Sequence, residues 1–346
     1  MISFPRKLDI ARGRIDLSHG AGGRAMAQLV NDIFLPAFAN DLLAAGNDQA
    51  IMASPGERLA MSTDSYVVSP LFFPGGDIGA LAVNGTINDL AMGGARPLYL
   101  SASFIIEEGF PLADLRRIAE SMGAAAQEAQ TVIATGDTKV VERSKSDGVF
   151  ITTTGIGTIA PDIDLSGDRA RPGDRVILSG GIGEHGVAVM MARQDLGLDA
   201  KITTDCAALH ELVASMLTVA GPSIRLMRDP TRGGLAATLN EIARQSRVGF
   251  RIFEADIPVK PAVTAVCELL GLDPLNVANE GKLIAVVDAA AAPGLLEAMR
   301  AHPLGRDAAL IGTIVEDHRG YVQMETKFGG QRIVDWLSGE QLPRIC

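Results

Sequence analysis

The chain has 346 residues, 47% hydrophobic and 21% charged, a composition that excludes disorder and suffices for two buried cores of about 150 residues each. Its net charge of -10 excludes a general nucleic-acid binder and a basic membrane-surface protein, which need cationic surface to meet phosphates. No apolar run reaches the ~18 residues of a membrane span, and the mixed-charge stretch before Leu17 lacks the apolar core of a signal peptide, so a cytosolic protein is expected.

The pattern opens on His19-Gly20-Ala21-Gly22-Gly23-Arg24, followed by an amphipathic run to Phe38. Gly20, Gly22 and Gly23 beside Arg24 make either a phosphate cradle of backbone N–H groups or a flexible terminal loop. A strand at 59–62 ends at Thr63-Asp64, and a small-residue helix follows over Ile78–Met92. That helix carries Asn84, Asn88 and Asp89, with no Lys or Arg between Gly75 and Ala95. A carboxylate there calls for a metal ion, a capping role or a distant ion pair. A strand at 98–106, a helix at 111–130 and strands at 132–135 and 149–159 complete the first half. Asp137 and Lys139 follow the 132–135 strand in Thr135-Gly136-Asp137-Thr138-Lys139.

Arg171-Pro172-Gly173-Asp174 reads as a turn opening a second domain. The spacing predicts domains at 1–165 and 166–328, then a flexible tail at 329–346. Helices are expected near 186–194, 205–218 (with Asp205 as cap), 233–246 and 260–270. Strands are expected near 176–179, 249–254, 283–288, 309–315 and 320–325. Gly181-Ile182-Gly183-Glu184-His185-Gly186 matches GxGxxG, but helix follows where a dinucleotide fold needs a second strand, so it reads as a strand-to-helix turn. No Walker A motif is present, because Gly281-Lys282 is followed by Leu283. Asp229 precedes a helix start, as a helix-terminal group or an oxygen ligand, with Arg232 beside it for phosphate. Asp64, Asp89, Asp137 and Asp229 together suggest hard ligands for Mg²⁺, which combines a few carboxylates with substrate phosphates. Glu280, in Asn279-Glu280-Gly281-Lys282, is either a general base or a solvated loop carboxylate.

Three cysteines without CxxC spacing indicate neither a disulfide framework nor a zinc site. Cys206 and Cys267 read as structural. Cys346 is the last residue of an extended, mobile arm, Pro343-Arg344-Ile345-Cys346.

Several segments jointly resemble the HypE family of hydrogenase maturation proteins, in the same order along the chain. They are His19-Gly20-Ala21-Gly22-Gly23, Thr63-Asp64-Ser65-Tyr66-Val67-Val68, Asn84-Gly85-Thr86-Ile87-Asn88-Asp89-Leu90, Gly136-Asp137-Thr138-Lys139-Val140-Val141, Asp229-Pro230-Thr231-Arg232-Gly233-Gly234 and Pro343-Arg344-Ile345-Cys346. The resemblance implies a two-domain α/β fold like that of aminoimidazole ribonucleotide synthetase, selenophosphate synthetase and thiamine-monophosphate kinase. It also implies a homodimer formed through the amino-terminal sheets and a cleft holding ATP and Mg²⁺. Asp64, Asp89, Asp137 and Asp229 become metal or phosphate-site acids, with Asn88 and Lys139 nearby. Cys346 becomes the acceptor of a carbamoyl group from the transferase HypF. ATP-dependent dehydration would turn the thiocarboxamide into a thiocyanate, whose nitrile passes through HypC and HypD to the iron of [NiFe]-hydrogenase. On this reading Glu280 is the base and Lys139 steadies the phosphate. Two alternatives stand beside it: another ATP-dependent enzyme of the superfamily, for which the tail is dispensable, and a non-catalytic carbamoyl carrier.

Overall fold

The computed structural model of the chain describes residues 8–20, 24–44, 58–193, 201–317, 319–335 and 344–346. Short helices α1 (Arg24–Leu29), α2 (Leu35–Ala37) and α3 (Asp41–Ala44) precede strand β1 (Arg58–Tyr66). A ribbon of β2 (Phe72–Phe73) and β3 (Gly76–Asp77) feeds helix α4 (Ile78–Met92). Then come β4 (Arg96–Glu107), α5 (Leu112–Glu128), β5 (Val132–Val141) and β6 (Val149–Ile159). The four long strands form one sheet in the order β1-β6-β4-β5. The α5 crossover makes β5 parallel to β4, and the other pairs are antiparallel.

The second half contains β7 (Arg175–Leu178), α6 (Glu184–Arg193), α7 (His210–Ala220), β8 (Ile224–Arg228), α8 (Gly234–Ser246), β9 (Gly249–Phe253) and α9 (Pro261–Leu270). It ends with β10 (Ile284–Val287), α10 (Ala292–Ala301), β11 (Ala309–Val315), β12 (Val322–Glu325) and β13 (Gln331–Val334). Seven strands pair in the order β13-β12-β9-β11-β7-β10-β8, parallel only between β9 and β12. Leu235, Leu239 and Ile242 of α8 join the core on one side of this sheet, and Leu212 and Met216 of α7 with Leu295 and Met299 of α10 form the other. The Gly181–Gly186 turn joins β7 to α6, and a sheet this antiparallel is no dinucleotide fold. Among the described residues no helix is long and apolar enough to cross a membrane.

Helix α4 lies between the two halves. Asp77 caps it, accepting from the N–H groups of Gly79 and Ala80 at 2.8 and 3.1 Å. The four-stranded sheet covers one flank and α7 and β8 the other. Its sequence is therefore apolar all round instead of striped. Gly85 admits Tyr66, because a Cβ there would sit 2.3 Å from the Tyr66 hydroxyl oxygen. Gly85→Ala is expected to lower stability by about 1–3 kcal/mol in chemical denaturation, with Gly85→Ala/Tyr66→Phe recovering part of the loss.

Four boundaries differ from the sequence pattern. β1 runs on to Tyr66 and β5 to Val141, so Asp64 and Asp137 lie inside strands and not beyond their ends. The apolar alternation fades there because Thr and Ser occupy the outer face, where Thr63–Thr154 and Ser65–Thr152 hydroxyls pair at 2.8 Å each. Helix α7 begins at His210, five residues past the expected cap Asp205, which is engaged elsewhere. The pattern stops at Phe328, yet Gln331–Val334 pair with β12 as an edge strand of the second sheet.

Candidate active site

Strand β1 sends Ser62, Asp64 and Tyr66 to the face covered by α4, because its side chains alternate. Ser62 Oγ donates to the Asp89 carboxylate at 2.5 Å, joining strand to helix. Burial pushes the Asp89 carboxyl up, Asp64 adds to the push, and Arg228 opposes it. Asp229, just past β8, is pushed up to about 7, first by burial and then by Asp89 and Asp64. Asp64 thus lies in one field with Asp89 and Asp229 and opposes the ionisation of both. A cavity of about 210 Å³ opens beside Asp89, lined also by Met92, Gly93, Ser166 and Arg228 among others.

Mutual repulsion of this kind suits a divalent cation. Among the described residues no three Asp, Glu, His or Cys groups converge tightly enough to cage a metal by themselves. The donor set fits Mg²⁺, which takes one or two carboxylates and completes its octahedron with water and nucleotide phosphates.

Glu280 is buried, at 3% exposure, and is no solvated loop carboxylate. Its carboxyl is pushed well above the usual range by burial first, then by Asp229, Asp205 and Asp64. One carboxyl oxygen, Oε1, has no hydrogen-bond partner. Asp205 accepts from the N–H groups of Glu280 and Gly281 at 3.2 and 3.3 Å and pairs with Lys282 at 3.3 Å. Asn88, expected at the nucleotide, is fully engaged instead. Its Nδ2 donates to the carbonyls of Ala207 and Glu280 at 3.0 and 3.1 Å, and its Oδ1 accepts from Leu209 N–H at 2.8 Å. Asn88 and Asp205 therefore fix the Glu280 loop against α4.

The chain's last three residues lie in this same cleft. The Cys346 thiol lies close by the Glu280 carboxyl. Burial and Glu280 push the thiol upward, and Arg232 opposes them. Ile345 is 3% exposed and packs into the amino-terminal core. The arm that reads as mobile in sequence is anchored here at its end, and Cys346 lies near the acids instead of remote from them.

Other expected residues stay apart. Asp137 and Lys139 are exposed on edge strand β5 and pair with each other at 3.2 Å. The register aligns Asp137 with Ser103, Thr152 and Ser65, on the outer face of the sheet, opposite to Asp64. Within one protomer Asp137 therefore does not join Asp64, Asp89 and Asp229, and Lys139 does not reach Cys346. Gly20 closes a 3-10 turn, Leu17–Gly20, that lies against β5. Gly22 and Gly23 fall outside the described residues. Sequence reading missed the long-range roles of Asp205, His185, Arg193 and Asp147, which reach Glu280, Ile345 and Arg344 across 75 to 197 positions of the chain; the GxGxxG-like turn drew attention to His185.

Residues 46–159 match the N-terminal domain of the AIR synthase related proteins, and 171–325 match the C-terminal domain. The chain is 69% identical to carbamoyl dehydratase HypE of Rhizobium leguminosarum bv. viciae, over 99% of this chain and 98% of that protein. It superposes on hydrogenase maturation protein HypE in complex with ATP with a TM-score of 0.92 at 50% identity, covering 95% of this chain and 99% of that one. A chain of a HypE–HypF complex matches with a TM-score of 0.78 at 47% identity, covering 89% and 99%. With both domains matched in order and the identity held over the full length of its relatives, the chain belongs to the AIR synthase related family, among the HypE carbamoyl dehydratases.

Proposed function

We propose that this protein dehydrates a carboxamide carried on its own Cys346 to a thiocyanate at the expense of ATP, supplying the nitrile for [NiFe]-hydrogenase maturation. The observation that carries this reading is the seating of Cys346, whose backbone oxygen accepts from Val67 N–H at 3.4 Å and whose thiol lies by Glu280, with Asp64 and Arg232 near it. An amide oxygen is a poor leaving group at neutral pH. Attack of the carboxamide oxygen on the γ-phosphorus of ATP expels ADP and leaves that oxygen as part of a phosphate ester. Loss of the two N–H protons and departure of phosphate then leave S–C≡N. When bound, Mg²⁺ would offset charge on the phosphoryl oxygens. Asp64, Asp89 and Asp229 would hold the metal, and Arg232 would face the transferred phosphoryl group. Glu280 would take an N–H proton, held in place by Asn88 and Asp205.

The seated thiol is held neutral, whereas carbamoyl loading needs a thiolate, so loading belongs to a released tail. The match to a chain from a HypE–HypF complex supports HypF as the loading partner, and HypC with HypD would receive the nitrile. A homodimer would cover the exposed Leu59, Met61 and Ile105 of the outer sheet face. That face also carries Asp137 and Lys139, so any part they take in the phosphate site would run through the dimer. Three free cysteines suit a reducing cytosol.

Mass spectrometry of the carboxy-terminal peptide tests the reading. Incubation with HypF and its carbamoyl donor should add one carbamoyl group to Cys346, and ATP with Mg²⁺ should then remove one water. Absence of the adduct, or an adduct that keeps its water, sinks it.

A further inference from the structure

Each of the three terminal residues is held through a backbone oxygen. Arg344 O accepts from Ser69 N–H at 3.1 Å and from Arg193 Nη2 at 2.9 Å. Ile345 O lies 2.9 Å from His185 Nε2. Cys346 O accepts from Val67 N–H at 3.4 Å. The Arg344 guanidinium also pairs with Asp147 in the turn before β6.

His185 and Arg193 both belong to α6, the helix entered through the GxGxxG-like turn, which no step of the dehydration uses. His185 is wholly buried, with its ring edge-on to Phe73 at 5.5 Å. Its Nδ1 lies 2.7 Å from Thr204 Oγ1. The tautomer follows from the partners: a carbonyl can only accept, so Nε2 carries the hydrogen and donates to Ile345, while Nδ1 accepts from the threonine hydroxyl. Thr204 is itself fixed, its N–H donating to Pro74 O at 2.8 Å and its Oγ1 accepting from Cys206 N–H at 3.0 Å. The ring is thus locked from both sides and aimed at a single backbone oxygen one residue before the reacting sulfur.

We propose that α6 is the clamp that seats the tail, with His185 the positioning residue that sets the register of Cys346 against Glu280, and Arg193 and Asp147 closing its outer end. The role given to the seated tail rests on the dehydratase reading; the clamp itself does not. Loss of the His185 donor leaves Ile345 O unsatisfied in a buried place, which shifts the tail toward release by about tenfold. Release exposes Cys346, so its alkylation reports the equilibrium directly.

The test is iodoacetamide labelling of the full-length protein without nucleotide, followed by peptide mass spectrometry, with the buried Cys267 as internal standard. His185→Leu should alkylate at Cys346 about tenfold faster than wild type, and His185→Gln, whose amide can replace the Nε2 donor, should return toward the wild-type rate. If His185→Leu also speeds labelling at Cys267, its fold is loosened. The half-exposed Asp147→Asn then decides, with a severalfold rise confined to Cys346 expected. Unchanged Cys346 labelling in both His185→Leu and Asp147→Asn overturns the clamp. The assay involves neither ATP nor carbamoyl transfer, so its failure leaves the dehydratase reading standing, and failure of nitrile formation leaves the clamp standing. With carbamoylated protein, His185→Leu should also slow single-turnover nitrile formation, and His185→Gln should restore it.

Discussion

The Glu280→Gln protein is expected to accept a carbamoyl group on Cys346 at the wild-type rate and then form nitrile about 10²–10⁴-fold more slowly in a single turnover. Glutamine keeps the size and the hydrogen-bonding reach of the side chain, so the Asn88 and Asp205 contacts, made to the backbone of residue 280, survive. What it removes is the carboxylate that lies by the Cys346 sulfur. Burial and three neighbouring carboxylates raise the proton affinity of Glu280, so its ionised form is a stronger base than a solvated glutamate. Loading escapes the effect because it takes place on a released tail. Full-rate nitrile formation by this variant, measured by mass spectrometry of quenched time points, removes Glu280 from the chemistry.

Asp229→Asn is expected to give a protein more stable than wild type at pH 8 without nucleotide, yet deaf to ATP and Mg²⁺. The carboxyl is pushed from 3.8 to about 7 in the folded state, so folding favours its protonated form. Its contribution is fully present below the unfolded value, and it is lost as pH rises through the folded one. The wild type should therefore lose stability between pH 4 and 8 at this position, and the asparagine should not. A gain of about 5 °C in Tm at pH 8, shrinking to nothing near pH 4, is the expected pattern. Mg²⁺ with ATP should raise the Tm of the wild type by mass action and leave the variant unmoved. Equal Tm for the two proteins at pH 8 contradicts the shared field of Asp64, Asp89 and Asp229.

Much of this was legible in the residues themselves. Helix α4 announces itself by fifteen residues without a basic side chain, and the cost of Asp89 on such a helix points to a site before any coordinate is known. The acids at 64 and 229 stand out because they fall at the ends of expected elements. Asp137 looks identical in sequence, but strand parity turns it to the opposite face, a distinction lost once the 132–135 strand is taken to end before it. Asn88 reads as a ligand because it neighbours Asp89, whereas its amide is consumed by a loop nearly two hundred residues away. Asp205 mimics a helix cap locally, and nothing local discloses that Glu280 and Gly281 will claim it. Long-range hydrogen bonds leave no periodicity, so the acids could be read from the chain and the scaffold that aims them could not.

The pairing of Val67 and Ser69 with Cys346 and Arg344 has a further meaning. The terminus lies beside this segment and is held largely through its main chain, much as bound peptides are held. The cleft is thus a peptide groove that happens to be filled in cis. A protein cut back before Pro343 becomes an enzyme with a diffusible substrate, a short carbamoylated peptide ending in cysteine. For that peptide a KM has meaning, and the difference between the two reactions measures what the tether contributes.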